Sequence, residues 1–403
     1  MTIFTPSTAA EVLEAVRWAA AEEQPLEILG AGTKRGIGRP AQTQHAVELS
    51  GLAGVTLYEP EELVLSARAG TPLAQIEALV AAHNQELAFE PMDYGPLHGA
   101  PTAGGKSGTI GGVLAANLSG PRRLKTGAAR DHILGVSAVS GRGEAFKAGG
   151  RVVKNVTGYD LSKAMAGSWG TLAVVSDVTF KVLPRSEMET TVVLRRLDDE
   201  QATAAMAAAL GSSAEVASAA HLPERVAARV LEGALGGDAA TLLRVEGFGP
   251  SVAYRVEMLR SLLGGEVTTV EADGSRRLWA DIRDVVPFAD GSGSERPVWR
   301  VSVAPSQGWK LVAGLRMQAA IDAFYDWQGG LVWLRMDADP ESELVRAGVA
   351  AVGGGHATLV RASAPARAAL STFQPQGGAL AALSARLKQE FDPRGILNPG
   401  RMA

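Results

Sequence analysis

Residues 26–34 read LEILGAGTK, and this stretch decides how the first part of the chain folds. The apolar run 26–29 predicts a short strand, and the glycine loop 30–34 follows it directly. Glycines after a strand let backbone N–H groups approach and surround phosphate oxygens. The loop therefore indicates a phosphate cradle, with a purely structural turn as the alternative interpretation.

A Rossmann dinucleotide-binding unit is a competing interpretation of the same loop, because Glu48 lies at a plausible distance for gripping a ribose. A Rossmann loop must open a crossover helix, yet residues 35–44 contain two glycines and a proline. No helix fits before the next predicted strand, His45–Leu49. We therefore expect a turn between strands, which is a different kind of pyrophosphate cradle.

A second glycine-rich stretch, GTIGGVLAANLSG at residues 108–120, predicts another anion site. Gly111 and Gly112 open a predicted helix of small residues, Val113–Asn117. Free N–H groups at a helix start favour a diphosphate there. The basic run RRLK at residues 122–125 follows and faces either phosphates or solvent.

The rest of the first half alternates predicted helices and strands. The predicted elements are a helix at 8–22, capped by Ser7 or Thr8 with Glu11, a strand at 64–69, a helix from Pro72 to His83, a strand at 133–139, a hairpin turn at 141–143, and a strand, turn, helix and strand within 152–184.

Composition narrows the classes of function. The 403 residues suggest two to three domains, at roughly 100–200 residues each. The net charge of −4 argues against a nucleic-acid-binding surface. Without cysteine the chain has no disulfide, no thiolate zinc site and no cysteine-ligated iron–sulfur cluster. The six histidines are scattered, and we expect no metal site.

The N-terminus lacks the basic and apolar regions of a secretory signal. No apolar run reaches the ~18 residues that would span a bilayer. We therefore expect a cytoplasmic protein, with peripheral association at the inner membrane only through partner subunits.

Residues 186–385 show a strand-then-helix rhythm, which fits either a parallel sheet or an antiparallel sheet with helices on one face. The predicted strands are Thr190–Leu194, Thr241–Glu246, Val298–Val303, Leu331–Met336 and Ala357–Arg361. The predicted helices are Asp199–Leu210, Pro223–Leu231, Ser251–Leu263, Ser306–Ala323 and Pro340–Ala350. A last predicted helix, Leu380–Phe391, leads into FDPRGILNPGRM at residues 391–402.

Taken in order, GAGTK, GTIGGVLAANLSG, RDHILGVSAV, NVTGYDLSKAMAGSWGTLAVVSDVTFKV and FDPRGILNPG resemble the vanillyl-alcohol oxidase family, whose FAD-binding domain is called PCMH-type. Within it, the chain is most similar to the smaller FAD-binding subunits of bacterial glycolate oxidases. The resemblance implies an α+β fold: a two-lobed FAD-binding domain at 1–185 and a mixed α/β cap domain with a largely antiparallel sheet at 186–385. A C-terminal segment at 386–403 would return to the FAD site.

The resemblance also assigns residues to the cofactor, FAD. The loop at 30–34 and the start of the second stretch would hold the pyrophosphate. Asn117, Ser119 and Gly127 would lie near the flavin or its ribityl chain, and Val175 would contact FAD through its backbone. The full set is Gly30, Ala31, Gly32, Thr33, Lys34, Gly108, Thr109, Ile110, Gly111, Gly112, Asn117, Ser119, Gly127, Val175 and Asn398, with Pro399 beside the last.

Two departures from the family pattern shape the expected function. Relatives with covalent flavin carry a His in the first loop or a Cys in the second, whereas this chain has Thr33-Lys34 and no cysteine, so noncovalent FAD is expected. Catalytic relatives carry an HxGDGNxH signature in the cap, which is missing here; His356 follows three glycines without a second histidine nearby. We therefore expect the isolated chain to oxidise glycolate poorly or not at all.

The resemblance implies an FAD-bearing subunit of a glycolate oxidase that oxidises glycolate to glyoxylate, with D-lactate as a second substrate. Its partners would be a larger FAD-containing subunit and an iron–sulfur subunit. A self-sufficient flavin oxidase and a noncatalytic scaffold are the alternatives. If the chain itself binds a carboxylate, Arg300, Arg335 and Arg361 in predicted cap strands are candidate clamps, and surface arginines are the alternative interpretation.

Overall fold

The computed structural model of the chain describes residues 2–99, 108–151, 159–291 and 293–402. Within these residues the strands form two small sheets, a five-stranded antiparallel sheet and an eight-stranded antiparallel sheet. The predicted α+β class, with a largely antiparallel second sheet, is confirmed. The predicted strand at the start of 152–184 lies outside the described residues.

The first half contains ten strands and six α-helices within the described ranges. The strands are β1 (Thr2–Phe4), β2 (Leu26–Leu29), β3 (His45–Glu48), β4 (Val55–Glu59), β5 (Val64–Arg68), β6 (Gln85–Glu86), β7 (Ile133–Ser140), β8 (Ala145–Gly149), β9 (Ala173–Lys181) and β10 (Leu183–Pro184). The helices are α1 (Ala9–Ala21), α2 (Leu73–Ala81), α3 (Ile110–Ala116), α4 (Arg123–Thr126), α5 (Ala129–His132) and α6 (Leu161–Met165).

The first lobe is a small parallel sheet with strand order β1-β3-β2. No helix lies between β2 and β3, as predicted, so the glycine loop is not a Rossmann loop. Helix α1 packs Val12 and Val16 against this lobe, and the Thr8 side chain caps it by accepting the Glu11 N–H at 3.2 Å. The C-terminal segment returns here, because Leu397 pairs with Leu26 as a parallel bridge.

The second lobe is the five-stranded sheet with order β4-β5-β9-β7-β8. Helices α2 and α3 cover it through a core that includes Leu65, Ile76, Leu114 and Phe180. The two-stranded pair of β6 and β10 completes this half. The lobe thereby fixes the start of α3 beside the turn that follows β5.

The cap and the C-terminal segment form the second half of the chain. Its strands are β11 (Met188–Arg195), β12 (Ser218–Leu222), β13 (Ala240–Gly247), β14 (Val267–Glu271), β15 (Val298–Ser302), β16 (Ile321–Asp326), β17 (Leu331–Met336) and β18 (His356–Arg361). Its helices are α7 (Asp199–Leu210), α8 (Glu224–Ala227), α9 (Gly249–Leu263), α10 (Ala272–Arg283), α11 (Gly308–Arg316), α12 (Ser342–Ala351), α13 (Ala364–Ala369) and α14 (Gly378–Phe391).

The eight-stranded cap sheet has order β14-β11-β13-β12-β16-β17-β15-β18, and every neighbouring pair is antiparallel. One face packs under helices α7, α9, α11 and α12. The other face places Phe324 and Trp333 in one core with Tyr94 and Leu97 of the first half. The cap sheet therefore lies directly against the first half of the chain.

Some predicted boundaries in the cap are wrong. The helix predicted over 306–323 ends at Arg316, because residues 321–326 pair with β17 in register over six positions. The helix predicted over 223–231 shortens to α8. Strands β12 and β14 and helix α10 were not predicted; β12 reads SAAHL, whose small residues carry little β propensity.

The buried carboxylate of Asp392 fixes the turn that carries the C-terminal segment back to β2. It accepts the N–H groups of Ile396 at 3.0 Å and Leu397 at 2.8 Å, and Lys388 Nζ lies 2.6 Å away.

Asp392→Ala should lower the free energy of unfolding by about 3 kcal/mol, because buried donors lose their acceptor. Urea denaturation measures this. Glu390→Ala, at an exposed side chain, is the control and should change it by less than about 0.5 kcal/mol; equal effects of the two variants would contradict the assignment.

Candidate functional site

A cleft opens where the loop after β2, the start of α3, strand β9 and the C-terminal segment meet. The walls combine glycine backbone with a few polar side chains and the indole of Trp169. The cleft therefore suits a ligand that carries a charged group.

Most of the residues assigned to the cofactor line this cleft. They are Gly30, Ala31, Gly32, Thr33, Lys34, Thr109, Gly111, Gly112, Val175 and Asn398. The two glycine-rich stretches meet at Gly30, where a Cβ atom would lie 2.3 Å from Thr109 Oγ1. Only glycine allows this approach. The fold brings the predicted residues together, and their contact with a cofactor stays a prediction.

The remaining assigned residues lie outside the cleft lining. Ile110 is buried in the core of the second lobe, and the Gly108 carbonyl accepts a hydrogen bond from the start of α2. Asn117 and Ser119 accept backbone N–H groups of α5 at 3.0 and 3.2 Å, and Gly127 ends α4 with a φ of +85°. These residues shape the α3–α5 segment, and their predicted proximity to the flavin stays untested.

The two glycine-rich stretches differ in their backbone donors. The N–H groups of residues 31–34 donate no hydrogen bond within the described part of the chain, and Gly32 adopts the left-handed φ of +72°. At the start of α3, by contrast, the Gly111 N–H donates to Ala69 at 2.8 Å and the Gly112 N–H to Thr109 Oγ1 at 3.3 Å. The prediction of free N–H groups at this helix start is therefore wrong, because the helix is tied to the turn after β5.

The Lys34 ammonium lies between the two stretches. A Cβ at Gly108 would be 3.6 Å from Nζ, and one at Gly112 would be 3.9 Å away. Within the described residues Nζ makes no hydrogen bond or ion pair. Burial lowers the pKa of Lys34 to about 8, and the negative charge of Asp93 partly offsets that effect. An anion in the cleft would supply the missing counter-charge.

Asn398 closes one wall of the cleft. Its Oδ1 accepts the Ile28 N–H at 2.8 Å, and its Nδ2 donates to the Trp169 carbonyl at 2.8 Å. Gly170, with a φ of +69°, must lack a side chain because a Cβ there would lie 2.8 Å from Nδ2. The amide of Asn398 thus holds Ile28 and Trp169 together and fixes the shape of this wall.

Arg401 lines the cleft and was not predicted from the sequence. Its Nη2 donates to the Lys34 carbonyl at 2.5 Å, and its guanidinium lies 5.9 Å from the Trp169 ring centroid. Its Nε is buried without a partner among the described residues, and burial lowers its pKa to about 10. The sequence NPGR at residues 398–401 offered a signal for Arg401, because a cation so close to Asn398 in sequence is expected to enter the same cleft.

Two of the three candidate carboxylate clamps are already neutralised. Arg335 pairs with Asp290 and with Asp322, the latter at 2.5 Å. Arg361 pairs with Asp290 at 2.8 Å and donates to the carbonyls of Leu97 and Phe288. Both arginines are buried, so the alternative interpretation as surface arginines is also wrong for them.

The first arginine of the basic run faces neither phosphate nor solvent. Arg122 is buried and pairs with Glu86 and with Glu246, the latter at 2.8 Å. It joins the second lobe to the cap sheet, because Glu246 lies on β13. The role of Arg122 is therefore structural, whereas Lys125 is exposed.

The chain belongs to the family of FAD-linked oxidases. A family model described as "FAD binding domain" matches residues 2–149, and one described as "FAD linked oxidases, C-terminal domain" matches residues 373–402. The chain is 34% identical to glycolate oxidase subunit GlcE of Escherichia coli (strain K12), over 97% of this chain and 96% of that protein. FAD is accordingly its cofactor.

Other similar proteins agree with this family. The chain is 30% identical to a D-lactate dehydrogenase of Archaeoglobus fulgidus over 45% of this chain and 39% of that protein. Among solved structures, p-cresol methylhydroxylase has a TM-score of 0.73 at 14% identity, covering 99% of this chain and 88% of that chain. This last likeness concerns the fold alone, and it confirms the fold that the motifs predicted.

The described residues show neither a metal-binding cluster nor a membrane-spanning helix. They contain no group of three or more His, Asp or Glu side chains that could hold a metal ion. No helix among them is long and apolar enough to cross a bilayer.

Gly112→Asp should abolish FAD binding. A carboxylate there would lie beside Lys34 Nζ, take the position of an anion and repel the diphosphate. We expect FAD affinity to fall at least on the order of 100-fold, measured by quenching of FAD fluorescence. Gly112→Asn has nearly the same size without the charge and should cost much less. Equal affinities of Gly112→Asp and the parent chain would refute the diphosphate position.

The affinity for FAD should depend on pH through Lys34. The diphosphate favours the charged ammonium, so affinity should be constant below the pKa of about 8 and should fall as the pH rises above it, by at most tenfold per pH unit. Fluorescence titrations from about pH 6.5 to about pH 9.5 measure this. Lys34→Gln should bind more weakly and lose the decline; a decline that persists in Lys34→Gln would assign it to another group.

Proposed function

We propose that this chain is the FAD-binding subunit of a multi-subunit 2-hydroxy-acid dehydrogenase that oxidises glycolate to glyoxylate. Similarity to glycolate oxidase subunit GlcE over almost the full length of both chains carries the proposal. Relatives that match less than half of the chain are named for D-lactate and D-2-hydroxyglutarate. Since all three are 2-hydroxy acids, this is the substrate class, and D-lactate is the second candidate substrate.

The cleft supports noncovalent FAD. The chain has no cysteine, and the first loop carries Thr33 and Lys34 where covalent relatives would carry a histidine. When bound, FAD supplies the chemistry of accepting a hydride from the carbon that bears the hydroxyl group. The chain's own residues would hold the diphosphate through the N–H groups of residues 31–34 and the Lys34 ammonium.

Partner subunits would supply what this chain lacks. One relative is named glycolate oxidase subunit GlcD in Bacillus subtilis, 39% identical over 22% of this chain, and the subunit names imply a multi-subunit complex. We propose that a larger flavoprotein oxidises the substrate and that an iron–sulfur protein carries electrons onward. A chain without cysteine cannot hold a cysteine-ligated cluster itself.

Substrate oxidation by this chain alone should be slow, because proton removal from a hydroxyl needs a base within reach. His98 lies beside the residues that follow the first glycine loop, since a Cβ at Gly36 would lie 2.6 Å from its Nδ1. Burial, with the positive charges of Arg361 and Arg367, lowers the pKa of His98 to about 4. A base of that strength suits proton abstraction near neutral pH poorly.

Purification of the tagged chain from its native cells tests this proposal. We expect a larger flavoprotein and an iron–sulfur protein to copurify and the complex to reduce a dye with glycolate. The isolated FAD-loaded chain should oxidise glycolate at least about a hundredfold more slowly than the complex. This factor is the lower end of the rate enhancement that general-base catalysis gives. FAD should appear in the supernatant after acid precipitation.

Other outcomes identify the alternatives. A lone, fully active monomer or homodimer would establish a self-sufficient enzyme. A complex in which this chain carries no flavin, and whose activity survives a cofactor-site variant such as Gly112→Asp, would establish a scaffold.

A further inference from the structure

Arg300 is the candidate clamp that no carboxylate neutralises. It lies on β15 directly opposite Trp333 of β17, and the Trp333 side chain packs on the face of the cap sheet toward the first half. Within the described residues its side chain makes no hydrogen bond or ion pair, and its Nε is buried without a partner. This separates it from Arg335 and Arg361, which pair with Asp290 on the same face.

A second unpaired guanidinium approaches from the first half of the chain. Arg123 begins α4, and its Cζ lies 4.9 Å from the ring centroid of Trp327, while the Cζ of Arg300 lies 5.0 Å from the same centroid. Both guanidinium groups therefore approach the same indole ring. Burial lowers the pKa of Arg123, and the like charge of Arg300 lowers it further.

Trp327 is a fixed platform for both cations. Its Nε1 donates to the Gly120 carbonyl of the first half at 3.0 Å, and its backbone N–H donates to Asp326 Oδ1 at 2.7 Å. Cation–π attraction holds a guanidinium near an indole but leaves its in-plane N–H groups without acceptors. Neither Arg123 nor Arg300 finds an acceptor among the described residues, so both groups keep donors for a ligand.

A third unused donor lies in the same region. The Tyr94 side chain is fully buried, contacts Trp333 edge-on at 6.0 Å between centroids, and has no partner for its hydroxyl among the described residues. The charge of Arg300 reaches this hydroxyl, because it acts on the pKa of Tyr94, which burial raises. Buried hydroxyls are nearly always hydrogen-bonded, so an unpaired one marks a place for an acceptor.

Two acids act on these arginines only from beyond salt-bridge distance: Arg300 lowers the pKa of Asp326, and Asp131 raises the pKa of Arg123. Asp326 accepts the Trp327 N–H, and burial raises its pKa to about 7, which leaves it partly protonated near neutral pH. Asp131 accepts the Ala128 N–H at 2.8 Å at the start of α5. Neither carboxylate lies within 4 Å of Arg123 or Arg300.

We infer that Arg123 and Arg300, with the hydroxyl of Tyr94, form a binding site for a small oxyanion of carboxylate size between the first half of the chain and the cap. Guanidinium groups bind carboxylates through paired N–H donors, and a neighbouring phenol suits an oxygen acceptor on the same molecule. The inference rests on the proposed function, because a 2-hydroxy acid carries both a carboxylate and a hydroxyl group. An inorganic oxyanion shares this chemistry.

Isothermal titration calorimetry on the FAD-loaded full-length chain tests the site, with oxalate, glycolate and sulfate as probes at constant ionic strength. Both carboxylates should bind with one site per chain. Arg300→Met should lower the affinity for oxalate on the order of tenfold to hundredfold, and Arg123→Met should lower it less. Arg300→Lys keeps the charge and should retain part of the affinity. Arg196→Met, at an exposed arginine paired with Asp238, is the control and should bind like the parent chain.

Several results would overturn the inference. An Arg300→Met chain with a lower Tm but unchanged oxalate affinity would show that packing on Trp327 is the only role. Loss of FAD from Arg300→Met would assign the arginine to the cofactor. Sulfate binding tighter than both carboxylates would remove the link to a hydroxy-acid substrate. A parent chain that takes no FAD refutes the proposed function, whereas one that takes FAD but no oxalate refutes only this site.

Discussion

The cleft depends on one side chain, the amide of Asn398. It joins the C-terminal segment to two parts of the chain that are far away in sequence: its Oδ1 accepts from Ile28 on β2, and its Nδ2 donates to the Trp169 carbonyl in the turn before β9. The backbone N–H of Asn398 also donates to Leu26 of β2. Its φ of 41° is left-handed, which asparagine tolerates better than most residues. Aspartate would lose the donor and leucine both bonds. The walls of the cleft are therefore fixed by the tail of the chain.

A second constraint sets the position of the cap. Two buried arginines, Arg122 of the first half and Arg244 of the cap, lie among carboxylates from both halves. These carboxylates are Glu86, Glu90, Glu189 and Glu246. Such a network adds little stability over an apolar contact, but any other docking would leave a buried charge unpaired at a cost of several kcal/mol. It therefore specifies one arrangement of cap and first half, and with it the approach of Arg300 to Arg123.

Local signals made the first half predictable. The strand, loop and strand around residues 26–48 and the first helix follow from apolar spacing and glycine content, and the order of the motifs predicted the family. The cap was harder, because its strands gain stability from partners distant in sequence: β12 has little β propensity and forms between β13 and β16. The same holds for the site. Glycine loops predicted most of the cleft, and the position of Arg401 close after Asn398 was a signal for a cation there. The free donors of Arg123 could not be predicted, because only the folded chain shows which cations lack partners.

The unpaired positive charges of the chain form two groups, and each group suits a different anion. Most buried cations have carboxylate partners, as Arg122, Arg335 and Arg361 do, and the net charge of −4 leaves no general excess of positive charge. Two pairs of cations, Lys34 with Arg401 and Arg123 with Arg300, have no carboxylate partner among the described residues, although only Arg401 of these four is buried and the others are half-buried. Burying a cation without a counter-ion is costly, so both pairs favour an anion from outside the chain. The first pair lies beside the glycine loop and suits a diphosphate; the second lies between the halves, where a smaller anion would meet both halves.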